Sequence, residues 1–255
     1  MKIIKTIIKW LMPHGLYIPL STLYGNQKRY NEHPSLDLQK YHGYRPAGGM
    51  GDKLQIYIDY VKKDTTIAVT NIFEVGANFA QDADYLMESF FLKPENIYVF
   101  EAHPEIYEAI KKIHNFNAYN YAVFNENREM EFNINPLTHE NTGWSSLFWE
   151  TGTKIKVDAI RMDDFMNNNN IKTIDFLKID VEGATYHVID GFGSRLKDVK
   201  CIQLEAEHNK FAEIPYEQIA ELLLANEFEL IHFERNNHMN QSDSFWVRRE
   251  YVKYA

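Results

Sequence analysis

From residue 66 onward, apolar runs of strand length alternate with segments of helical periodicity, and this alternation constrains the fold more than any other feature of the chain. The runs cover 67–75, 97–100, 118–123, 155–160, 174–179, 201–204, 228–233 and 244–247. Helical patterns fill 81–91, 104–113, 184–189 and 216–226 between them. Strand and helix in alternation predict an α/β fold, a mostly parallel sheet covered on both faces. The last two runs flank Asn236-Asn237-His238 and read instead as antiparallel strands at one edge.

Residues 1–65 lack the alternation and are rich in Tyr, His, Pro and Gly, so they are expected to form an extension or cap, with a helix near 53–62 leading into a domain over 66–255. A polar and aromatic stretch at about 124–153 reads as an insertion, and insertions of that length beside a binding edge are often functional. The tract 167–170 is four asparagines and reads as a polar loop. At 255 residues and 45% hydrophobic, the chain has material for one well-buried domain with additions.

A net charge of −9 argues against phosphate-backbone binding, which needs an excess of Lys and Arg over the contact face, so no nucleic-acid partner is expected. Residues 1–31 nevertheless hold Lys2, Lys5, Lys9, Lys28 and Arg29 and no carboxylate. Residues 1–12 fit an amphipathic helix with Ile4, Ile7, Ile8 and Leu11 on one face, a contact for a membrane surface or another protomer. Lys5 and Lys9 interrupt what would be a signal-peptide core, and no run approaches transmembrane length. The single cysteine, Cys201, lies in an apolar run, which suits a reducing compartment; the expected address is the cytoplasm, at the inner face of the membrane if residues 1–12 dock there.

Two motifs sit where apolar runs stop. Phe73-Glu74-Val75-Gly76-Ala77-Asn78 leads into a helix, and glycine there lets the backbone turn while the helix start offers free N–H groups. Glu74-x-Gly76-x-Asn78-x-Ala80 overlays the acid-x-Gly-x-Gly-x-Gly pattern of S-adenosylmethionine enzymes, with Asn78 and Ala80 in place of the later glycines. The next run ends at Glu101-Ala102, about the distance downstream at which an acid takes ribose hydroxyls. Asn120 to Ala122 then stand where adenine contacts are expected. The missing glycines count against a pyrophosphate cofactor such as NAD or FAD.

The second motif, Lys178-Ile179-Asp180-Val181-Glu182-Gly183-Ala184, and the following Glu205-Ala206-Glu207-His208 bring Asp180, Glu182, Glu205, Glu207 and His208 towards one crevice. Helix capping and ion pairs with Lys178 or Lys210 account for a couple of these. The remainder suit a general base that deprotonates an acceptor hydroxyl, or oxygen ligands with one imidazole around Mg²⁺ or Mn²⁺.

In order and spacing, the first motif, Val99-Phe100-Glu101-Ala102-His103-Pro104, Trp144-Ser145-Ser146-Leu147, 157–164 and the Lys178 motif resemble the FkbM-type methyltransferase family over about residues 70–205. The resemblance implies a Rossmann-like methyltransferase sheet of seven strands, S-adenosylmethionine as donor, and transfer to a hydroxyl, often on a sugar. It puts Glu74, Gly76, Asn78 and Glu101, with Ala77, Ala102, Asn120 and Ala122, at the cofactor, and Asp180, Glu182 and Glu205 near the acceptor. By analogy with metal-dependent sugar O-methyltransferases, Asp180 and Glu205 become metal ligands and Glu182 or His208 the base. Ala80 and Thr185 depart from the family's glycine and acid. Similar family members in bacterial capsule or lipooligosaccharide biosynthesis imply a nucleotide-linked sugar acceptor. Lys28, Arg29 or Arg45 would meet its diphosphate, and Tyr41, Tyr44, Trp144, Ser145 and Ser146 would line its site. Alternatives are a lipid, macrolide or amine acceptor, or a cofactor-binding scaffold without turnover.

Overall fold

The computed structural model describes residues 52–134, 145–149, 152–208, 213–236 and 240–254. Its strands are β1 (Ile72–Val75), β2 (Ile97–Phe100), β3 (Asn117–Tyr119), β4 (Ala122–Val123), β5 (Arg128–Ile134), β6 (Thr153–Ile160), β7 (Ile174–Ile179), β8 (Val199–Glu207), β9 (Phe228–Asn236) and β10 (Gln241–Arg248). The α-helices are α1 (Asp52–Asp64), α2 (Gln81–Ser89), α3 (Pro104–Ile113), α4 (Met162–Asn168), α5 (Thr185–Asp190) and α6 (Tyr216–Ala225). Seven strands form one sheet in the order β3-β2-β1-β7-β8-β10-β9, and β4-β6-β5 form a second, smaller one. Strands β3 to β8 of the large sheet run parallel, while β10 enters antiparallel between β8 and the edge strand β9. This is the mostly parallel sheet with an antiparallel pair at one edge that the alternation and the closing pair predict, and the seven-stranded Rossmann-like sheet that the family resemblance implies.

Two buried faces hold the sheet. On one, Leu54, Tyr57, Ile58 and Val61 of α1 join Ala83, Leu86 and Met87 of α2 and Ile106, Ala109 and Ile110 of α3 over Phe176, Cys201 and Phe245. On the other, Met162, Phe165, Val188, Ile189, Ile219 and Leu223 cover Phe73, Phe100, Leu177, Ile202 and Trp246. Helix α1 lies within the segment expected as an extension, yet its apolar side belongs to the main core. Its small residue-to-residue spacing of apolar positions, Leu54, Tyr57, Ile58 and Val61, is the stripe a sheet-facing helix needs.

The structure corrects three element assignments. The run 155–160 is a strand, but of the small sheet, paired with β5 and β4. The run 118–123 breaks into β3 and β4, because the chain leaves the large sheet at Asn120 and Tyr121 and joins the small one. Only Ile72–Val75 of the run 67–75 is strand: the Thr70 and Asn71 N–H groups donate to the Asp175 carboxylate at 2.6 and 3.3 Å instead of entering a ladder. A helix that the sequence reading leaves out, α4, ends inside the asparagine tract, where the Asn169 amide donates to the Phe165 carbonyl. Its Met162, Phe165 and Met166 are buried, and their spacing of three and four is too short a series to stand out from the run before it.

Candidate active site

The carboxyl ends of β1, β2 and β7 surround a cleft of about 700 Å³, including the part open to solvent. Gly76, Asn78, Glu101, Ala102, Tyr121, Ala122, Asp180 and Glu182 line it, with Ile106, Phe132, Ser145 and Leu147 among its apolar and loop walls. Parallel α/β sheets bind ligands at this edge because the strand ends splay and the following helices offer free N–H groups.

On the β1 side the turn is set by close backbone packing. The Gly76 and Ala77 N–H groups both donate to the Phe100 carbonyl at 3.0 Å, and Asp180 N–H donates to Val75 O at 2.9 Å. Gly76 has φ +76°, and a Cβ there would lie 1.7 Å from the Asp180 carbonyl oxygen. Glycine is therefore demanded by the passage of the β7 loop before any ligand is considered. Asn78 and Ala80 follow with φ 46° and 56°, so Ala80 carries in the left-handed region a Cβ that glycine would not.

Glu101 is buried at the floor of this side. Its Oε2 accepts Asn78 N–H at 2.7 Å and its Oε1 accepts His103 N–H at 2.8 Å. Burial pushes the carboxyl up to about 7 against the pull of those two donors. A carboxylate has about four acceptor positions, so Glu101, which lines the cleft, has capacity left for a pair of ligand hydroxyls. Asn120 stands behind it, its amide donating to the Glu101 and Ala102 carbonyls at 2.7 and 3.0 Å.

Beneath the cleft lies a buried charge cluster. The Lys178 ammonium, 2% exposed, is 3.3 Å from Asp180, 3.3 Å from Asp82 and 3.5 Å from Glu74. Glu74 also accepts Ala83 N–H at 3.0 Å, in the first turn of α2. Burial pushes Glu74 up to about 8 although Lys178 pulls it down. Lys178 itself is held well above its ordinary value, burial being outweighed by Asp180, Asp82 and Glu74 together. The two directions are compatible because one ammonium serves three carboxylates and keeps its proton whichever of them is ionised.

Opposite, the acidic groups converge. One carboxylate oxygen from each of Asp180, Glu182 and Glu205 lies within 4.8 Å of the others. Glu205 is pushed up to about 9 by burial and by Asp180, Asp243 and Glu207, and Glu182 is raised well above the carboxylate range by burial, Asp180 and Glu207. Glu207 rises to about 7, burial again being the largest cause. Asp243 enters because β10 pairs it directly with Glu205. Strand alternation puts Glu205 and Glu207 on one face, and Thr185 fixes that strand to the β7 turn by donating to the Glu205 carbonyl at 2.7 Å.

The structure thus brings Gly76, Asn78, Glu101, Ala102, Ala122, Ser145, Asp180 and Glu182 to one cleft, with Glu205 against its acidic end. Several expected residues stand elsewhere. Glu74 is 1% exposed and turned to Lys178 and α2, and Ala77 and Asn120 support the wall without lining it. Ser146 does not face the cleft; its hydroxyl donates to the Glu182 carbonyl at 2.6 Å and accepts Phe148 N–H at 3.0 Å, so it pins the 145–149 segment to the acidic turn. His208 does not join the carboxylates: its Nε2 is 2.9 Å from Ser242 Oγ, and its ring lies tilted near Tyr216. It is one residue past Glu207, hence on the opposite side of the chain. Trp144, Arg45, Lys28, Arg29, Tyr41, Tyr44 and the helix expected over 1–12 lie outside the described residues.

Val123, Phe132, Ile106 and Leu147 line the wall without having been expected there, and Lys178, expected to pair with an acid of the crevice, also meets Glu74 and Asp82. Aromatic and aliphatic wall residues carry no motif of their own. Lys178 could have been found from its spacing of two before Asp180, which puts the two on one side of the chain at the end of a strand.

The model of the methyltransferase FkbM domain matches residues 74–232. Among solved structures, a methyltransferase FkbM from Methylobacillus flagellatus KT is 8% identical with a TM-score of 0.49, over 87% of this chain and 60% of that one. TrmK of M. capricolum, in complex with S-adenosyl-homocysteine, is 12% identical with a TM-score of 0.44, over 78% and 70%. A protein of the NADB-Rossmann superfamily from Streptococcus agalactiae is 14% identical with a TM-score of 0.43, over 80% and 69%. No curated protein matches the chain in sequence.

Proposed function

We propose that this chain, which belongs to the FkbM methyltransferase family, is a methyltransferase that uses S-adenosylmethionine to methylate a sugar hydroxyl, on a nucleotide-linked sugar destined for capsule or another surface polysaccharide. The observation that carries the reading is one cleft with two chemically different ends. At one end Glu101, braced by two backbone N–H groups, offers lone pairs for a ribose diol beside the apolar wall of Ala102, Ile106 and Ala122. At the other, Asp180, Glu182 and Glu205 offer acceptors in a number that suits a polyhydroxylated partner.

Methyl transfer asks for what these ends supply. The acceptor oxygen attacks the methyl carbon, the carbon–sulfur bond breaks, and its electron pair stays on sulfur, turning a sulfonium into a neutral thioether. The hydroxyl proton leaves to a base, and a carboxylate of the Asp180, Glu182 and Glu205 cluster, in its ionised form, is placed to take it. A divalent ion, Mg²⁺ or Mn²⁺, on Asp180 and Glu205 would instead lower the hydroxyl's pKa. The acidic surroundings also favour the sulfonium before transfer. Among the described residues no helix is long and apolar enough to cross a membrane. We place the reaction in the cytoplasm, at the inner face of the membrane if residues 1–12 dock there and not on another protomer.

The test is incubation of the full chain with methyl-labelled S-adenosylmethionine and a panel of nucleotide sugars, lipid extracts and macrolide or amine acceptors, read by product mass. A gain of one methyl on a sugar hydroxyl, abolished in Asp180→Asn, is the expected result. Label on a lipid, macrolide or amine alone overturns the acceptor class. Tight cofactor binding with no transfer to any cell-derived acceptor makes the chain a scaffold.

A further inference from the structure

The acidic end of the cleft holds more carboxyl groups than there are cations to pair with them. Asp180, Glu182 and Glu205 meet there, with Glu207 and Asp243 close enough to act on Glu205. Among the described residues, Lys178 is the one cation within ion-pair distance of the three, and it reaches Asp180 alone while also serving Asp82 and Glu74. Glu182 is 9% exposed, and its Oε2 is buried without a hydrogen-bond partner although the residue lines the cleft. A buried carboxylate oxygen with nothing to accept costs free energy, and at the wall of a cleft a bound cation or water relieves that cost.

The spacing favours a cation. Two oxygens bound to one hard cation at roughly 2.0–2.6 Å each stand at most about 4–5 Å apart. Three donor atoms within 4.8 Å of one another meet that limit before any adjustment. All three donors are carboxylate oxygens, a set that suits Mg²⁺, Mn²⁺ or Ca²⁺ and offers neither the imidazole nor the thiolate that zinc and copper prefer. His208, bonded to Ser242, is no part of the set. The Asp180 side chain is 30% exposed, so the coordination sphere opens towards the cleft and leaves places for water or an acceptor oxygen.

We propose that Asp180, Glu182 and Glu205 together form a binding site for a hard divalent cation, with Glu182 the third ligand and not a free base. The cation neutralises the cluster and presents an open face to the cleft. Its use in activating an acceptor hydroxyl rests on the methyl-transfer reading; its binding does not.

The experiment is Mn²⁺ titration of the full chain, without cofactor, by calorimetry and by the loss of the free-ion electron paramagnetic resonance signal. Wild type is expected to bind one Mn²⁺ in the micromolar range, with Mg²⁺ competing. Glu182→Gln and Asp180→Asn should each weaken binding at least ten-fold, and His208→Ala should leave it unchanged. Glu182→Gln should also melt at the temperature of metal-free wild type, since the amide keeps the size of the side chain and Oε2 has no hydrogen bond to lose; a merely structural residue would lower it. If that variant fails to fold, a rise of several degrees in the wild-type melting temperature with 1 mM Mn²⁺ takes its place as the expected result. No Mn²⁺ or Mg²⁺ binding up to millimolar concentration, or an affinity that Glu182→Gln leaves alone while His208→Ala reduces it, overturns the site. S-adenosylhomocysteine binding that persists in the metal-free protein separates that failure from a failure of the methyltransferase reading.

Discussion

Replacing Gly76 by alanine puts the packing of the strand ends to the test. Alanine at φ +76° sits in the left-handed region at a cost of about 1–2 kcal/mol. Its Cβ would begin 1.7 Å from Asp180 O and 2.7 Å from Asp180 C, both backbone atoms with no rotamer to escape into. Overpacking of this kind costs about 1–3 kcal/mol after relaxation. Moving the β7 loop away also strains the 2.9 Å bond from Asp180 N–H to Val75 O, worth about 1 kcal/mol. Reduced freedom of the unfolded chain returns about 0.4–1 kcal/mol. The net loss is about 2–6 kcal/mol, roughly 4–22 °C in melting temperature for a chain of this size. Urea unfolding followed by tryptophan fluorescence and circular dichroism measures it, with no cofactor present. A Gly76→Ala protein within about 1 kcal/mol of wild type would refute the reasoning and leave glycine to be explained by ligand approach alone.

Lys178→Met should lose about 3–5 kcal/mol, because removing one partner of a buried pair strands the others, and adding Glu74→Gln should restore part of it in the same urea assay. Glu74 is raised from 4.5 to about 8 in the fold, so its stabilising contribution is complete below about pH 4.5 and is lost as pH climbs to about 8. Denaturation free energies of the ligand-free protein should therefore fall between pH 5 and 8, and more gently in Glu74→Gln; stability rising over that range would contradict the burial argument. Glu101, at about 7, should lose its proton when ribose hydroxyls donate to it, so calorimetry of S-adenosylhomocysteine near pH 6.5 in buffers of different ionisation enthalpy should show net proton release that disappears in Glu101→Gln.

Much of the large sheet was legible because its central strands are buried on both faces and read as mainly apolar runs, as in 174–179 and 201–204, and because the closing pair lacks a helix between its members. The small sheet was not. Strand β6 alternates exposed and buried residues and follows an insertion, so the pattern announces a strand but not the sheet it joins. At the site, turn residues with a special backbone, Gly76 above all, could be placed from sequence, since few residues fit there. Which carboxylates face one another could not. Glu205 meets Asp243 only through the antiparallel register of β8 and β10, and His208 turns away because it falls one residue out of phase with Glu207. Ser146 looked like a ligand contact and proved to be a brace, since a small hydroxyl beside a turn serves either purpose until its partners are known.

The central claim is that the Glu101 end of the cleft receives an adenosyl cofactor, and calorimetric titration of S-adenosylhomocysteine into the wild type and Glu101→Gln tests it most directly. The account predicts micromolar binding by the wild type, weakened at least ten-fold in a variant that keeps its fold. Equal affinity in the two proteins, or no binding by either at neutral pH, would contradict it.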